Sequence, residues 1–246
     1  MAPIVAELKN AMQVIVCVTA QHREMLDQVL ELFEILPEYD LNIMKPGQDL
    51  FDVTSNVLLG IKKILYKEQP DLVLVHGDTS TAMTASLAAF YFSIPVGHVE
   101  AGLRTHDIST PFPEELNRQI IARIARFHFA PTETAKNNLI NEQIPKKNIY
   151  VTGNSVIDAL LSVIDKAKSV EYTDKLLSKL SFINKESQDL PRIVLVTGHR
   201  RENFGSGFEE ICQALKEIAI QNPDIQMQFY NSTSKNPSAA KALFVE

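Results

Sequence analysis

Strand-like and helix-like segments alternate along this sequence, and that alternation leaves few folds open. Short apolar runs, many of them β-branched, occupy residues 13–18, 41–44, 71–75, 95–99, 127–130 and 148–151. Between them apolar residues recur at helical spacing, as in Met25, Leu26, Val29, Leu30 and Phe33, and again in Val53, Val57, Ile61, Ile64 and Leu65. Strands separated by helices in this way form βαβ units and pair as a parallel sheet. The expected class is therefore α/β, with a Rossmann-like parallel-sheet domain. Residues 166–190 are richer in Lys, Ser, Asp and Glu and read as a surface linker with a short helix at 174–180. A strand at 192–197 and a helix at 208–220 then begin a second such domain. The expected division is a first domain over residues 1–170, a linker over 171–190 and a partial second domain over 191–246. The chain opens directly on a helix, with Ile4, Val5 and Leu8 at helical spacing behind Pro3, whereas a doubly wound domain normally opens on its central strand. Residues 228–246 show no clear strand. The expectation is a piece of a larger two-domain protein.

Charge and cysteine usage narrow the function classes. The formal charge is −6 and no basic block is present, which argues against a nucleic-acid partner. No apolar run reaches the roughly 18 residues that a membrane-spanning helix needs. Cys17 and Cys212 lie far apart in apolar segments and read as buried thiols in a reducing compartment, not as a disulfide or a metal site. The first ten residues lack the basic lead of a signal peptide, so a cytoplasmic enzyme is expected. There is no GxGxxG, no Walker lysine and no zinc-like spacing of His and Cys, so neither cofactor nor metal is expected.

The richest chemistry lies in residues 94–120, IPVGHVEAGLRTHDISTPFPEELNRQI. A buried-type strand leads into a polar connection and then a helix. Ligands of open parallel sheets bind at the carboxyl ends of strands. This stretch brings Glu100, Glu114, Glu115, Arg104 and Arg118 towards one such end, and Asp78 follows another strand in a Gly-containing turn. Each residue also has a plainer reading. Asp78 suits an N-cap, Glu100 an ion pair with Arg104, and Glu114 and Glu115 the dipole of their own helix. Together they would form a cluster of carboxylates able to shift one another's pKa values, as acid/base chemistry requires. A second cluster, Gly198-His199-Arg200-Arg201, sits between a strand and a helix, where His199 and Arg200 suit phosphate oxygens. His76, His98 and His128 lie in or beside apolar strands and read as packed side chains.

The segments LVHGDTSTAMTASLAAFY, IPVGHVEAGLRT, PFPEELNRQI, FAPTETAKNNL, VTGNSVIDAL and LVTGHRRENFGSGFEEICQAL closely resemble the non-hydrolysing bacterial UDP-N-acetylglucosamine 2-epimerases, from Met1 to about Ile225. The resemblance implies two Rossmann-like domains in the glycosyltransferase-B arrangement, with the site in the cleft between them. It implies interconversion of UDP-N-acetylglucosamine and UDP-N-acetylmannosamine, and a homodimer when intact. It assigns Asp78, Glu100 and Glu114 as catalytic carboxylates, His199 as the histidine near the UDP phosphates, and Arg118 as an arginine of the site. Gln21 and His22 match the family's QHREM segment, where a second substrate molecule acts as activator. The sequence departs from the family at both ends: an opening strand with a GTRPE-type turn is absent, and the expected segment after Ile225 gives way to QFYNSTSKNPSAAKALFVE, which suggests a shifted frame. The expectation is an epimerase sequence whose isolated chain is inactive and poorly stable. The alternatives are a non-catalytic remnant that binds a nucleotide sugar weakly, and a hydrolase or glycosyltransferase of similar architecture, against which the HVEAGLR and PEELNR segments argue.

Overall fold

The alternation read from the sequence recurs element by element in the computed structural model, which describes residues 1–19, 23–43, 45, 47–168, 192–197 and 206–230. These fall in two units, Met1–Lys166 and Ala167–Glu246. In the first, α1 (Ala2–Lys9) precedes β1 (Cys17–Val18), α2 (Arg23–Leu32), β2 (Tyr39–Asp40) and α3 (Leu50–Glu68). Then come β3 (Val73–His76), α4 (Ser80–Tyr91), β4 (Val96–Val99), α5 (Glu114–Ile124), β5 (Phe127–Ala130), α6 (Glu133–Asn141), β6 (Ile149–Val151) and α7 (Ser155–Ala167). Strands β3-β4-β5-β6 form one parallel sheet in sequence order, and β1 and β2 form a parallel pair. In the second unit β7 (Arg192–Thr197) and β8 (Ile225–Tyr230) pair in parallel, with α8 (Ser206–Gln221) between them in sequence. The α/β class with parallel sheets is thus the one expected.

The core explains why these segments choose these elements. Val57, Ile61 and Leu65 recur on one face of α3 and pack with Ala82, Ala88 and Ala89 of α4, Val75 of β3 and Val96 of β4. Alanines let α4 lie close to both neighbours. Its buried hydroxyls do not oppose this, because Thr84 and Ser86 donate to the carbonyls of Ser80 and Ala82 one turn back. All four residues of β4 are buried, as a strand covered on both faces requires. A second cluster joins Ala101, Ala122, Ala130, Ala135, Leu139 and Ile149. Helix starts follow their caps: Thr79 accepts from the Ala82 amide, Thr132 from the Ala135 amide, and Asp49 with Asp52 closes a reciprocal capping box.

Three expectations about strands need correction, the first being the strand at 13–18, of which only Cys17–Val18 is paired. The second strand is Tyr39–Asp40, not residues 41–44, although the amides of Leu41 and Ile43 still reach the carbonyls of Val18 and Thr19. Residues 228–230, read as having no clear strand, are the end of β8 and pair with Leu195, Val196 and Thr197. The expected linker helix at 174–180 lies outside the described residues.

Candidate active site

Parallel pairing of β3 with β4 sets the site. His76 faces Val99 in register, so Gly77-Asp78 and Glu100 leave the sheet side by side at its carboxyl edge. The Gly77 amide donates to the Val99 carbonyl at 3.0 Å, and Gly77 turns with φ +70°. Glu100 holds φ +67°, a left-handed conformation that disfavours side chains by roughly 1–2 kcal/mol. The next residues fix it there. The Ala101 amide donates to the Phe129 carbonyl at 3.0 Å, and Gly102, at φ +89°, passes so near α6 that a Cβ would sit 2.2 Å from the Ala135 carbonyl oxygen.

Helix α5 reaches over this edge. Asn117, almost fully buried, donates to the backbone carbonyl of Asp78 at 2.8 Å. Arg118 donates to Asp78 Oδ2 from Nε at 2.9 Å and from Nη2 at 2.5 Å. The adjacent carboxylates of α5 differ sharply. Glu115 has no exposed surface, and each of its oxygens takes two donors. Oε2 accepts from the Thr105 amide at 3.1 Å and Arg118 Nη1 at 3.2 Å. Oε1 accepts from Gln119 Nε2 at 3.1 Å and the His106 amide at 3.4 Å. Burial works to raise the Glu115 pKa, but the hydrogen bonds from Gln119, Thr105 and Arg118 outweigh it and hold the carboxyl below its ordinary range. Glu114 is half-buried, and its carboxylate has no hydrogen bond or ion pair among the described residues. Of the two, Glu114 is the one with a carboxylate available for proton transfer.

Glu100 Oε2 lies 3.6 Å from His76 Nε2 and 3.5 Å from Asn154 Nδ2. Asn154 caps α7 through its other side-chain atom, Oδ1, which accepts from the Val156 amide at 3.0 Å. Nothing in the local sequence signals that the Asn154 amide also faces Glu100. His76, read as packed, keeps 36% of its side chain exposed. Its pKa is lowered, first by burial and then by the Met1 amino group, against the pull of Glu100 and Asp78.

His98 and His128 are packed, as read. They are register partners in β4 and β5, with 0% and 1% exposure. His98 bonds the Gly77 carbonyl through Nε2 at 2.7 Å, and burial drops its pKa to about 4. At neutral pH the ring is uncharged, and bonding a carbonyl requires the proton on Nε2. His98 thereby pins the turn that carries Asp78.

Arg104 is corrected in two respects. Its partner is Glu142, not Glu100: Nε and Nη2 donate to the two carboxylate oxygens at 2.6 and 2.9 Å. Its side chain has no exposed surface, so it presents nothing to a bound molecule. The expected site residues Gln21, His22, His199 and Arg200 lie outside the described residues. A cavity of about 650 Å³ lined by Tyr39, Asn42, Lys45, Lys63 and Lys67 contains none of the carboxylates. No helix among the described residues is long and apolar enough to cross a membrane.

A family model described as UDP-N-acetylglucosamine 2-epimerase matches residues 6–245, well past Ile225. The UDP-N-acetylglucosamine 2-epimerase of Escherichia coli K12 is 54% identical over 235 residues, which cover 93% of this chain and 61% of that one. The enzyme of Neisseria meningitidis serogroup A is 47% identical over 245 residues, 99% of this chain and 64% of that one. The chain thus spans about three-fifths of the length of these relatives. Among solved structures, the Neisseria meningitidis UDP-GlcNAc 2-epimerase bound to UDP-GlcNAc superimposes with a TM-score of 0.84 at 47% identity, covering 94% of this chain and 62% of that one. The Methanocaldococcus jannaschii UDP-GlcNAc 2-epimerase in complex with UDP-GlcNAc and UDP gives 0.78 at 33% identity, with the same coverage.

Proposed function

This chain belongs to the UDP-N-acetylglucosamine 2-epimerase family, and from that membership we propose that it interconverts UDP-N-acetylglucosamine and UDP-N-acetylmannosamine in the cytoplasm. The two sugars differ only in configuration at C2. A carboxylate removes the C2 proton while the C1–O bond breaks and UDP departs, which leaves 2-acetamidoglucal. A proton returns to C2 on the opposite face and the UDP oxygen re-forms the bond to C1. The reaction needs two positioned acid/base groups and a cationic partner for the departing diphosphate.

The observation that carries this reading is the convergence of Asp78 and Glu100 from adjacent parallel strands, with α5 tied to Asp78 through Arg118 and bearing Glu114, whose carboxylate is unpaired among the described residues. Asp78, Glu100 and Glu114 supply the acid and base. Arg118 holds Asp78 in place through two hydrogen bonds to Oδ2. His199 and Arg200, placed by the resemblance alone, face the diphosphate, and Gln21 with His22 take the activating second substrate.

The test is incubation of the chain with UDP-N-acetylglucosamine in deuterated water. The expected result, against the sequence expectation of an inactive chain, is UDP-N-acetylmannosamine carrying deuterium at C2, because Asp78 and Glu100 leave adjacent strands at one edge and α5 is tied to Asp78. No product would uphold the sequence expectation. Product without deuterium would rule out proton exchange at C2. Binding of UDP with no turnover would leave this polypeptide as a non-catalytic nucleotide-sugar binder.

A further inference from the structure

Glu115 is a buried carboxylate that the proposed reaction does not use. Four donors surround it, two from the Thr105–His106 backbone, one from Gln119 and one from Arg118. Arg118 in turn is shared between two acids. Its Nη1 side faces Glu115, one turn back on α5, and its Nε–Nη2 side faces Asp78 Oδ2. A guanidinium is planar, so fixing one side fixes the other. Without Glu115, an arginine at a partly open edge would be free to leave Asp78. With it, both donors converge on Oδ2, and no described donor reaches Oδ1.

We propose that Glu115 is a positioning residue for the reaction: by locking Arg118 from behind, it aims Asp78 so that Oδ1 stays free to exchange a proton with substrate. This rests on the reading of Asp78 as an acid/base group. It gives the neighbouring acids of the PEE segment separate duties, Glu114 towards substrate and Glu115 towards Arg118. It also ties the 105–106 backbone to the same device, because that backbone supplies two of the donors that hold Glu115 in place.

The direct readout is hydrogen exchange at Arg118 Nε, followed by nitrogen-15 NMR on the full chain. In the parent chain the Nε proton is expected to exchange at least about tenfold more slowly than that of a free guanidinium, because it is bonded to Asp78. Glu115→Gln removes the charge behind Arg118 and is expected to abolish that protection. Glu115→Asp keeps the charge, draws it back by one methylene and has the same effect; it serves where the glutamine variant does not fold. In turnover, kcat falls by about tenfold to a hundredfold with KM nearly unchanged. The double variant Glu115→Gln with Arg118→Lys is no slower than Arg118→Lys alone, because both act through one guanidinium. Unprotected Nε in the parent chain, protection that persists in both Glu115 variants, or additive losses in the double variant would each overturn the proposal. A parent chain that shows the protection but turns over no substrate would sink the proposed function and leave the clamp standing.

Discussion

Arg118 places two N–H groups on one oxygen of Asp78, Oδ2, at 2.9 and 2.5 Å, and leaves Oδ1 without a donor among the described residues. A carboxylate held by one oxygen and open at the other is suited to move a proton without losing its orientation. Asp78→Asn tests that division. The amide still offers an oxygen to Arg118, so the fold survives; the pair is partly exposed, and its loss costs about 1 kcal/mol or less. The melting temperature should fall by no more than about 2–4 °C. Turnover should fall by roughly 10²–10⁴, the usual contribution of a positioned acid or base. Parallel thermal melts and initial-rate assays check both numbers.

Arg104 and Glu142 make a different kind of pair, and its removal should register in stability before activity. The guanidinium has no exposed surface, and Glu142 supplies both oxygens to it. Glu142→Ala leaves a buried cation without its counter-ion, which costs about 3–5 kcal/mol. Arg104→Met, which removes the charge itself, should cost less. Urea unfolding of the two variants gives the order directly, and Arg104→Met less stable than Glu142→Ala would contradict the assignment.

What could be read in advance follows physical lines. Helix positions and most strands were legible, because the periodicity of α3 and the β-branched runs of β3 and β4 are local signals that tertiary packing reinforces. The strand β2 was misplaced because Leu41 and Ile43 are apolar yet lie just beyond the two paired residues. At the sheet edge, the positions of Asp78 and Glu100 just past their strands were legible. The partners were not. Neither the 38-residue separation of Arg104 from Glu142 nor the 40-residue separation of Asp78 from Arg118 has a signature in local pattern. Nor could spacing tell which of Glu114 and Glu115 turns inward, because both suit the first turn of a helix.

Gly102→Ala should be among the most damaging single changes in the first unit. The new Cβ would lie 2.2 Å from the Ala135 carbonyl oxygen and 2.8 Å from its carbon, backbone atoms that cannot rotate aside, at a φ of +89°. Overpacking of this kind costs about 1–3 kcal/mol, and the left-handed backbone adds about 1–2 kcal/mol. Gly102 lies two residues beyond Glu100, so displacement of α6 also moves the edge that carries Glu100. Chemical denaturation should show a loss of about 2–5 kcal/mol, with turnover reduced even where the variant is fully folded. A variant as stable as the parent would mean that the close approach to α6 is absent.

His98 and His128 should make stability depend on pH in a window set by their burial. Burial drops both from an ordinary value of 6.5 to about 4. Between those values the unfolded chain binds a proton at each ring and the folded chain does not, so folding weakens as pH falls and strengthens as it rises. Above about 6.5 both forms are neutral and the full stability is present. The rings are essentially unexposed, so the linkage is not reduced by solvent screening. Each histidine contributes up to about 1.4 kcal/mol per pH unit inside the window, and the pair should remove about 3–4 kcal/mol between pH 7 and pH 5. Glu115, held below its ordinary range, acts in a lower window, where stability is lost as it protonates below about 4.5, and so does not mimic this effect. His128→Phe separates the contributions. It leaves the Ala125 carbonyl without the ring and lowers stability at neutral pH, but it should reduce the slope between pH 7 and pH 5 by somewhat less than half, because His76, also lowered by burial, acts in the same window. Urea midpoints across that range give the slope, and an unchanged slope in His128→Phe would show that this ring takes up its proton as readily folded as unfolded.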